Sequence, residues 1–378
     1  MPRDYYISIQ LPTLQWICSD ITSYYTICSN RRSQHCQSRQ AKGPMEYKLF
    51  GRTGVYISPL VLGCMMFGQK TDLEGTCKII DHALGEGINF LDTADVYGKG
   101  ASEEFVGEAL QRNGKRKDVF LATKVNGRMS DEPNAIGTSR LHIIEGCEDS
   151  LRRLKTDHID LYQLHRPNPH IAIDETLRAM DDLITSGKIR YAGTSNFGSW
   201  QVVESLWASE KLGQSRFVSE QSPFNIADRR AEREHLPMCQ TYDLAFIPWS
   251  PLAAGGLTGK YRRTAQQATG TRFGDETDPG KMKRFSDGVM DIADGLATIA
   301  KAHNVTVAQI ALAWVAAQPG VTAPIAGPRT LDQFVDNLGS LEVELTQEDF
   351  DAIDELAQPG TNAADFYEAS FKPNAHRF

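Results

Sequence analysis

Residues 159–196 read IDLYQLHRPNPHIAIDETLRAMDDLITSGKIRYAGTSN, and the fold prediction rests on this stretch. A short apolar run, Ile159–His165, is followed by Asp174–Gly187, where apolar residues recur every three to four positions as in an amphipathic helix. A second short run, Ile189–Asn196, comes after a glycine of the kind that commonly ends a helix. This pattern predicts a strand, a helix and a second strand that lies parallel to the first.

The same unit repeats along most of the chain. Apolar runs occur at Leu60–Leu62, Asn89–Asp92, Val119–Lys124, Ile159–His165, Ile189–Asn196, Phe217–Asn225, Ala245–Leu252 and Val321–Gly327. Segments with helical periodicity lie at Glu74–Gly87, Ser102–Gly114, Ser139–Lys155, Asp174–Gly187, Trp200–Gly213, Val289–His303, Val307–Gln318, Asp332–Gly339 and near Gln347–Leu356. Eight strand–helix units predict a parallel sheet covered by helices, and eight parallel strands can close into a barrel.

An open, doubly wound sheet is the alternative architecture. It is less well supported because no strand–turn–helix carries the dinucleotide-binding pattern G-x-G-x-x-G; Gly98-Lys99-Gly100 lacks the third glycine. We therefore predict the α/β class, with a single (β/α)8 TIM barrel.

The region before the first barrel strand divides into two parts. Residues 45–63, MEYKLFGRTGVYISPLVLG, predict two short strands around the turn Arg52-Thr53-Gly54. Residues 1–44 hold three of the seven cysteines and show no helical or alternating apolar pattern. We expect 1–44 to be a leader, disordered or removed by processing, and 45–378 to be the barrel domain. An organelle transit peptide and sequence upstream of a start at Met45 are the alternatives for the leader.

Composition excludes several classes of protein. Of 378 residues, 41% are hydrophobic and 23% are charged, which is a globular composition. The formal net charge of -8 argues against binding to nucleic acid or to an anionic membrane, and no apolar stretch is long enough to span a bilayer. The seven cysteines have irregular spacing without a zinc pattern, which favours reduced thiols in a cytoplasmic protein.

Polar residues end nearly every predicted strand: Asp92, Lys124, His165, Ser195-Asn196, Gln221 and Ser250. In a barrel, the carboxyl ends of the strands ring the face where active sites form. Tyr97 follows Asp92 in the loop after its strand, so a carboxylate, a phenol, an ammonium and an imidazole come from adjacent strand ends.

These four side chains have complementary acid–base chemistry. A nearby ammonium favours the phenolate and lowers the pKa of a tyrosine, while a buried lysine keeps its proton only if a carboxylate such as Asp92 holds the charge. An imidazole can orient or polarise a carbonyl oxygen. The combination of Asp92, Tyr97, Lys124 and His165 therefore suits proton donation to an oxygen that gains charge as hydride reaches the adjacent carbon.

From about Met45 to about Leu356 the sequence resembles the aldo-keto reductases. The resemblance rests on GINFLDTADVYG at 87–98, ATKV around Lys124, LYQLHRP around His165, GTSNF at 193–197, EQSPFN at 220–225, PWSPLAAGGLTGKY at 248–261 and PIAGPRTLDQFVDNLGSL at 324–341. It implies a catalytic tetrad of Asp92, Tyr97, Lys124 and His165, with Tyr97 as the general acid. The implied reaction is the reversible, NADPH-dependent reduction of an aldehyde or ketone, so the expected partner is a small carbonyl or alcohol substrate.

The resemblance also implies a nicotinamide dinucleotide bound without a Rossmann domain. Asn196 and Gln221 bind the carboxamide, with Ser195 alongside, and the loop at 249–260 holds the pyrophosphate. The residues implied in that loop are Trp249, Ser250, Pro251, Leu252, Gly255 and Lys260. The long polar segment 262–285 is expected to cover the cofactor, with Arg272 as a contact.

The motif at 324–341 bears on the choice between NADP(H) and NAD(H). Gly327 and Arg329 precede a predicted helix on which Gln333 and Asn337 share one face. A helix N-terminus beside an arginine suits a phosphate such as the 2′-phosphate, which favours NADP(H).

Two other functions fit the same residues. The branch with the SPL-containing loop includes potassium-channel β subunits, so a dinucleotide-binding regulatory subunit is one alternative. A Schiff-base aldolase with Lys124 as nucleophile is the other, although Asp92 would have to leave the lysine unprotonated.

No metal site is expected, because His165 and His170 lack a third ligand at suitable spacing. The aromatic residues of the tail Pro359–Phe378 are expected either to line the substrate pocket or to pack.

Overall fold

Eight parallel strands form the centre of the computed structural model, which describes residues 45–261 and 285–363. The hairpin strands β1 (Lys48–Leu49) and β2 (Tyr56–Ile57) pair antiparallel, as predicted. The parallel strands are β3 (Val61–Gly63), β4 (Phe90–Asp92), β5 (Phe120–Val125), β6 (Ile159–Leu164), β7 (Ile189–Ser195), β8 (Phe217–Gln221), β9 (Ala245–Phe246) and β10 (Ile325–Ala326). Their order is β10-β3-β4-β5-β6-β7-β8-β9.

Backbone hydrogen bonds join the two ends of this sheet. The Thr322 amide donates to the Phe246 carbonyl at 2.9 Å, and the Ile325 amide donates to the Pro248 carbonyl at 2.9 Å. Because β10 also pairs with β3, the sheet curls into the predicted (β/α)8 barrel.

Helices follow the strands in the predicted alternation. Those in the described residues are α1 (Leu73–Gly85), α2 (Ala101–Asn113), α3 (Arg140–Leu154), α4 (Ile173–Thr185), α5 (Ser199–Leu212), α6 (His235–Thr241), α7 (Asp287–His303), α8 (Val307–Ala317), α9 (Leu331–Leu338) and α10 (Gln347–Leu356). Side-chain caps begin several of them; Thr306, for example, accepts from the Gln309 amide while the Gln309 side chain accepts from the Thr306 amide. Within the described ranges, no helix is long and apolar enough to cross a membrane.

Strands β8, β9 and β10 are much shorter than the apolar runs that predict them. Beyond β8 and β9, an isolated bridge joins Pro223 to Trp249, and Ser250 then adopts a left-handed φ of 58° that ends the extended backbone. The loop after Ser250 contains a 3-10 helix at Ala253–Thr258. Helix α6 is absent from the predictions because Pro237 interrupts its short pattern, although a proline is tolerated in the first turn.

The barrel interior is apolar at its amino-terminal end. Phe50, which precedes the hairpin turn, is fully buried and lies 5.1 Å from the Phe120 ring and 5.8 Å from the Phe90 ring, between centroids. Phe90 and Phe120 themselves pack edge to face at 5.0 Å. The hairpin therefore closes this end of the barrel and leaves the opposite end for polar side chains.

Candidate active site

The polar residues above this apolar layer follow from the two-residue period of the strands. On β5, Phe120 and Ala122 belong to the barrel interior, so Lys124 also points inward. On β4, Asp92 follows Phe90 by two residues, and on β6 Gln163 follows Leu161 by two. Asp92, Lys124 and Gln163 therefore form a buried polar layer near the carboxyl ends of adjacent strands.

Lys124 and Asp92 form an ion pair inside the barrel. Lys124 is fully buried, and its Nζ donates to Asp92 Oδ1 at 2.5 Å and to the Thr93 carbonyl at 2.8 Å. Burial alone lowers the pKa of Lys124, but the negative charge of Asp92 and the nearby Tyr97 oxygen together raise it above the usual value. The lysine therefore stays protonated at neutral pH.

Tyr97 and His165 lie over this ion pair. The Lys124 ammonium lies 5.1 Å from the centroid of the Tyr97 ring, and the rings of Tyr97 and His165 meet edge to face at 5.7 Å. Burial, assisted by the charge of Lys124, holds the pKa of His165 well below its usual value, so the imidazole is neutral.

The charge of Lys124 lowers the pKa of the phenol, as expected, but the net shift of the Tyr97 pKa is upward. Burial raises the pKa of Tyr97 more than the positive charge of Lys124 lowers it, and the charge of Asp92 adds to the rise. The phenol therefore keeps its proton at neutral pH, as a proton donor must.

An amide network, absent from the sequence predictions, supports the Asp92 carboxylate. Gln163 Nε2 donates to Asp92 Oδ2 at 3.1 Å, Gln221 Nε2 donates to the same oxygen at 2.9 Å, and Gln221 also donates to Gln163 Oε1 at 3.2 Å. Gln163 is fully buried. The signal in the sequence that could have identified Gln163 is a polar residue at an inward-facing position of an apolar strand, two residues before His165.

Ser195 and Asn196 continue the polar ring beside Gln221. The Ser195 hydroxyl donates to the Gln221 carbonyl at 2.8 Å, and Asn196 Nδ2 donates to the His165 carbonyl at 3.0 Å. Trp249 Nε1 donates to Asn196 Oδ1 at 3.2 Å, so the predicted cofactor residue Trp249 lies directly beside this group. The structure thus brings the predicted residues of β7, β8 and the segment after β9 together.

The loop after Trp249 has unusual backbone conformations. Ser250, Ala254 and Gly255 have φ values of 58°, 56° and 102°, in the left-handed region. The Ser250 hydroxyl accepts from the Ala254 amide at 2.9 Å. Lys260 Nζ lies 3.5 Å from the position that a Cβ on Gly255 would occupy, so a lysine side chain lies against this loop; Pro251 and Leu252 form its first turn.

The predicted phosphate-reading segment lies at the start of α9. Thr330 caps this helix by accepting from the Gln333 amide, and the Gln333 side chain accepts from the Arg329 amide at 3.0 Å. Gly327 and Arg329 therefore precede a capped helix N-terminus, with the Arg329 side chain half-buried and Asn337 buried one turn further along. Arg272 and the tail aromatics Phe366, Tyr367 and Phe371 lie outside the described residues.

Comparison with known proteins identifies the family of this chain. The model of the aldo/keto reductase family matches residues 59–358. The chain belongs to the aldo/keto reductase family.

Relatives of this aldo/keto reductase carry two kinds of name. It is 38% identical over 318 residues to an uncharacterized oxidoreductase of Bacillus subtilis, covering 80% of this chain and 93% of the relative. It is 36% identical to a probable voltage-gated potassium channel subunit beta of Oryza sativa, covering 85% and 100%. It is 33% identical to the versiconal hemiacetal acetate reductase of Aspergillus parasiticus, covering 83% and 98%. The family and the oxidoreductase names indicate an oxidoreductase of carbonyl substrates.

The residues of this aldo/keto reductase fit a nicotinamide dinucleotide. Lys260 Nζ lies beside the Gly255 loop and places a positive charge there, which suits an anion. At Gly327 the nearest atom to an added Cβ is 3.6 Å away, so a ligand can approach this backbone closely. The side-chain oxygens of Asn196 and Gln221 are acceptors of the kind that the NH2 group of a carboxamide requires, since the NH2 groups of both residues donate within the protein.

Proposed function

We propose that this aldo/keto reductase reduces an aldehyde or ketone to an alcohol with NADPH, reversibly, and that Tyr97 is the general acid. The arrangement that carries the proposal is the protonated phenol of Tyr97 between a buried ammonium and a neutral imidazole. When bound, the reduced nicotinamide supplies the hydride that reaches the carbonyl carbon.

The chain's own residues then control the proton. As the carbonyl oxygen gains negative charge, Tyr97 donates its proton, and the Lys124 ammonium stabilises the phenolate that remains. Asp92 keeps Lys124 charged through their 2.5 Å contact. The neutral His165 donates a hydrogen bond to the carbonyl oxygen and orients it toward Tyr97, without competing as an acid.

The raised pKa of Lys124 also argues against the aldolase alternative. A Schiff base requires an unprotonated amine as nucleophile, whereas Asp92 and the Thr93 carbonyl both accept hydrogen bonds from this ammonium and keep it protonated. The reductase chemistry uses the charged form of the lysine, which is the form that the site stabilises.

The preference for NADP(H) over NAD(H) is supported by the start of α9. The backbone of Arg329 is held by two hydrogen bonds, one at its carbonyl and one at its amide. Arg329 lies at the N-terminus of α9, where the helix dipole and the guanidinium both favour a phosphate. Ser195, Asn196 and Gln221 are proposed to bind the carboxamide, and the 249–260 loop to bind the pyrophosphate.

The decisive experiment combines binding and turnover in the full chain. Fluorescence titration with NADPH and NADH measures affinity, and loss of NADPH absorbance with a panel of aldehydes and ketones measures turnover. Tyr97→Phe should lower kcat by at least about 100-fold while NADPH affinity changes little, because only the transferable proton is removed. Tyr56→Phe, the same change at an exposed tyrosine, is the control.

Arg329→Ala tests the phosphate contact separately. It should weaken NADPH binding by about tenfold or more and leave NADH binding nearly unchanged, since a charge-assisted contact to phosphate is lost. Binding of neither dinucleotide to the wild-type chain would overturn the proposed function. Equal loss for both cofactors would overturn the assignment of Arg329 to the 2′-phosphate.

A regulatory subunit that binds the dinucleotide is the second candidate. The observation that favours it is the 36% identity to proteins named as probable potassium channel β subunits of Oryza sativa and Arabidopsis thaliana. Tight NADPH binding with no turnover on the carbonyl panel, together with co-purification of a membrane protein, would favour this role over the reductase.

A further inference from the structure

Gln163 lies at the centre of the buried polar layer and uses both ends of its amide. It pairs in register with Lys124 across β5 and β6, and it is fully buried. Its Nε2 donates to Asp92 Oδ2 at 3.1 Å, and its Oε1 accepts from Gln221 Nε2 at 3.2 Å. The residue thus joins the carboxylate of the catalytic group to an amide beside the proposed cofactor site.

The chemistry of the partners fixes the direction of each hydrogen bond. An ionised carboxylate only accepts, so the end of Gln163 that faces Asp92 must be its NH2 group. The carbonyl of Gln163 then faces Gln221, which must also turn its NH2 group inward, where Asp92 Oδ2 accepts from it at 2.9 Å. The reversed Gln221 amide would bring its oxygen against both Asp92 Oδ2 and Gln163 Oε1.

We propose that Gln163 is a positioning residue that locks the amide of Gln221, so that the Gln221 oxygen is presented to the dinucleotide as an acceptor. The inference rests on the proposed function, in which Gln221 binds the nicotinamide carboxamide. A fixed acceptor selects the NH2 group of a carboxamide and gains nothing from a ketone at the same position. The Asp92 charge that holds Lys124 thereby also sets how the cofactor ring is held.

The test compares two ligands that differ in that one donor. NADP+ carries a carboxamide, and its 3-acetylpyridine analogue carries a methyl ketone in its place. We expect the wild-type chain to prefer NADP+ by about fivefold in tryptophan-quenching titrations, the worth of one hydrogen bond. In Gln163→Met, which has a similar length but no amide, Gln221 loses one of its two constraints, and the preference should fall to about twofold or less.

A second variant keeps the acceptor for Gln221 and changes the charge beside Asp92. In Gln163→Glu two carboxyl groups in contact share one proton, so the preference for NADP+ should persist, while kcat falls because the shared proton weakens the charge that holds Lys124. Gln240→Leu, at an exposed position on α6, is the control and should leave both the preference and kcat unchanged. This pair of variants also keeps the test informative if Gln163→Met fails to fold.

The outcomes separate failure of the inference about Gln163 from failure of the proposed function. If the wild-type chain binds neither ligand, the proposed function fails and the inference fails with it. If the wild-type chain binds NADP+ and Gln163→Met retains the full preference, Gln163 does not lock Gln221 and the inference is overturned alone. Loss of the preference in Gln163→Glu would overturn it as well, since that variant retains the acceptor.

Discussion

Removing the buried ammonium should destabilise the barrel far more than removing an exposed cation. In Lys124→Met, Asp92 Oδ1 loses its 2.5 Å donor and the Thr93 carbonyl loses its 2.8 Å donor, both inside the protein. A buried acceptor left without a donor costs about 1–3 kcal/mol, and breaking a buried ion pair from one side costs about 3–5 kcal/mol. We therefore expect the free energy of unfolding to fall by about 4 kcal/mol.

A double-mutant cycle tests whether this cost comes from the unpaired charge. Asp92→Asn alone should cost about 2–4 kcal/mol, because it leaves the ammonium buried without a counter-charge. In the Lys124→Met/Asp92→Asn double variant neither charge remains, so its cost should be smaller than the sum by at least about 2 kcal/mol.

Urea unfolding at pH 7, followed by tryptophan fluorescence, provides the free energies. Arg112→Met, which breaks ion pairs with Glu74 and Glu108 at the surface, is the control and should cost less than about 1 kcal/mol. Additive effects of the Lys124 and Asp92 substitutions would refute the reasoning, since independent costs would mean that the two charges do not stabilise each other.

Three further predictions concern other buried residues. Burial raises the pKa of Asp95 to about 7, above the unfolded value near 4, so the folded state retains the proton longer and stability falls as pH rises between these values. The free energy of unfolding of Asp95→Asn, measured in urea, should therefore rise by about 2–3 kcal/mol relative to that of the wild type as the pH increases from 5 to 8. A difference that does not change with pH would contradict the raised pKa of Asp95. Phe50→Ala should cost about 3–5 kcal/mol because it empties the closed end of the barrel, and a cost below about 1 kcal/mol would show that the hairpin does not seal it. In Gly193→Ala the new Cβ meets Ser219 Oγ at 2.4 Å, so Ser219→Ala should recover a large part of the lost stability, and no recovery in thermal unfolding would mean that other contacts dominate.

The fold could be predicted because its pattern is local and repeated. Short apolar runs predict the strands, and apolar residues that recur about every 3.6 positions predict the helices. Glycines such as Gly114 and Gly213 mark where helices end. The predicted boundaries are wrong where an element ends because of its backbone conformation and not because of its side-chain pattern. The predicted run continues to Leu252, but the left-handed φ of Ser250 ends the extended backbone before it.

Within the site, the sequence predicted the residues that carry their own chemistry and missed those that act through a neighbour. Lys124 and His165 attract notice because an ammonium or imidazole at a strand end has an evident use. Gln163 is a neutral amide with no such use, and its contacts depend on the register that pairs it with Lys124 across two strands. Register is a property of the closed sheet, set by many strand pairs together, so a single strand's sequence cannot reveal it. The net direction of the Tyr97 pKa is hidden for the same reason: the sequence identifies the cation that lowers it, and only the packed structure shows that burial outweighs that cation.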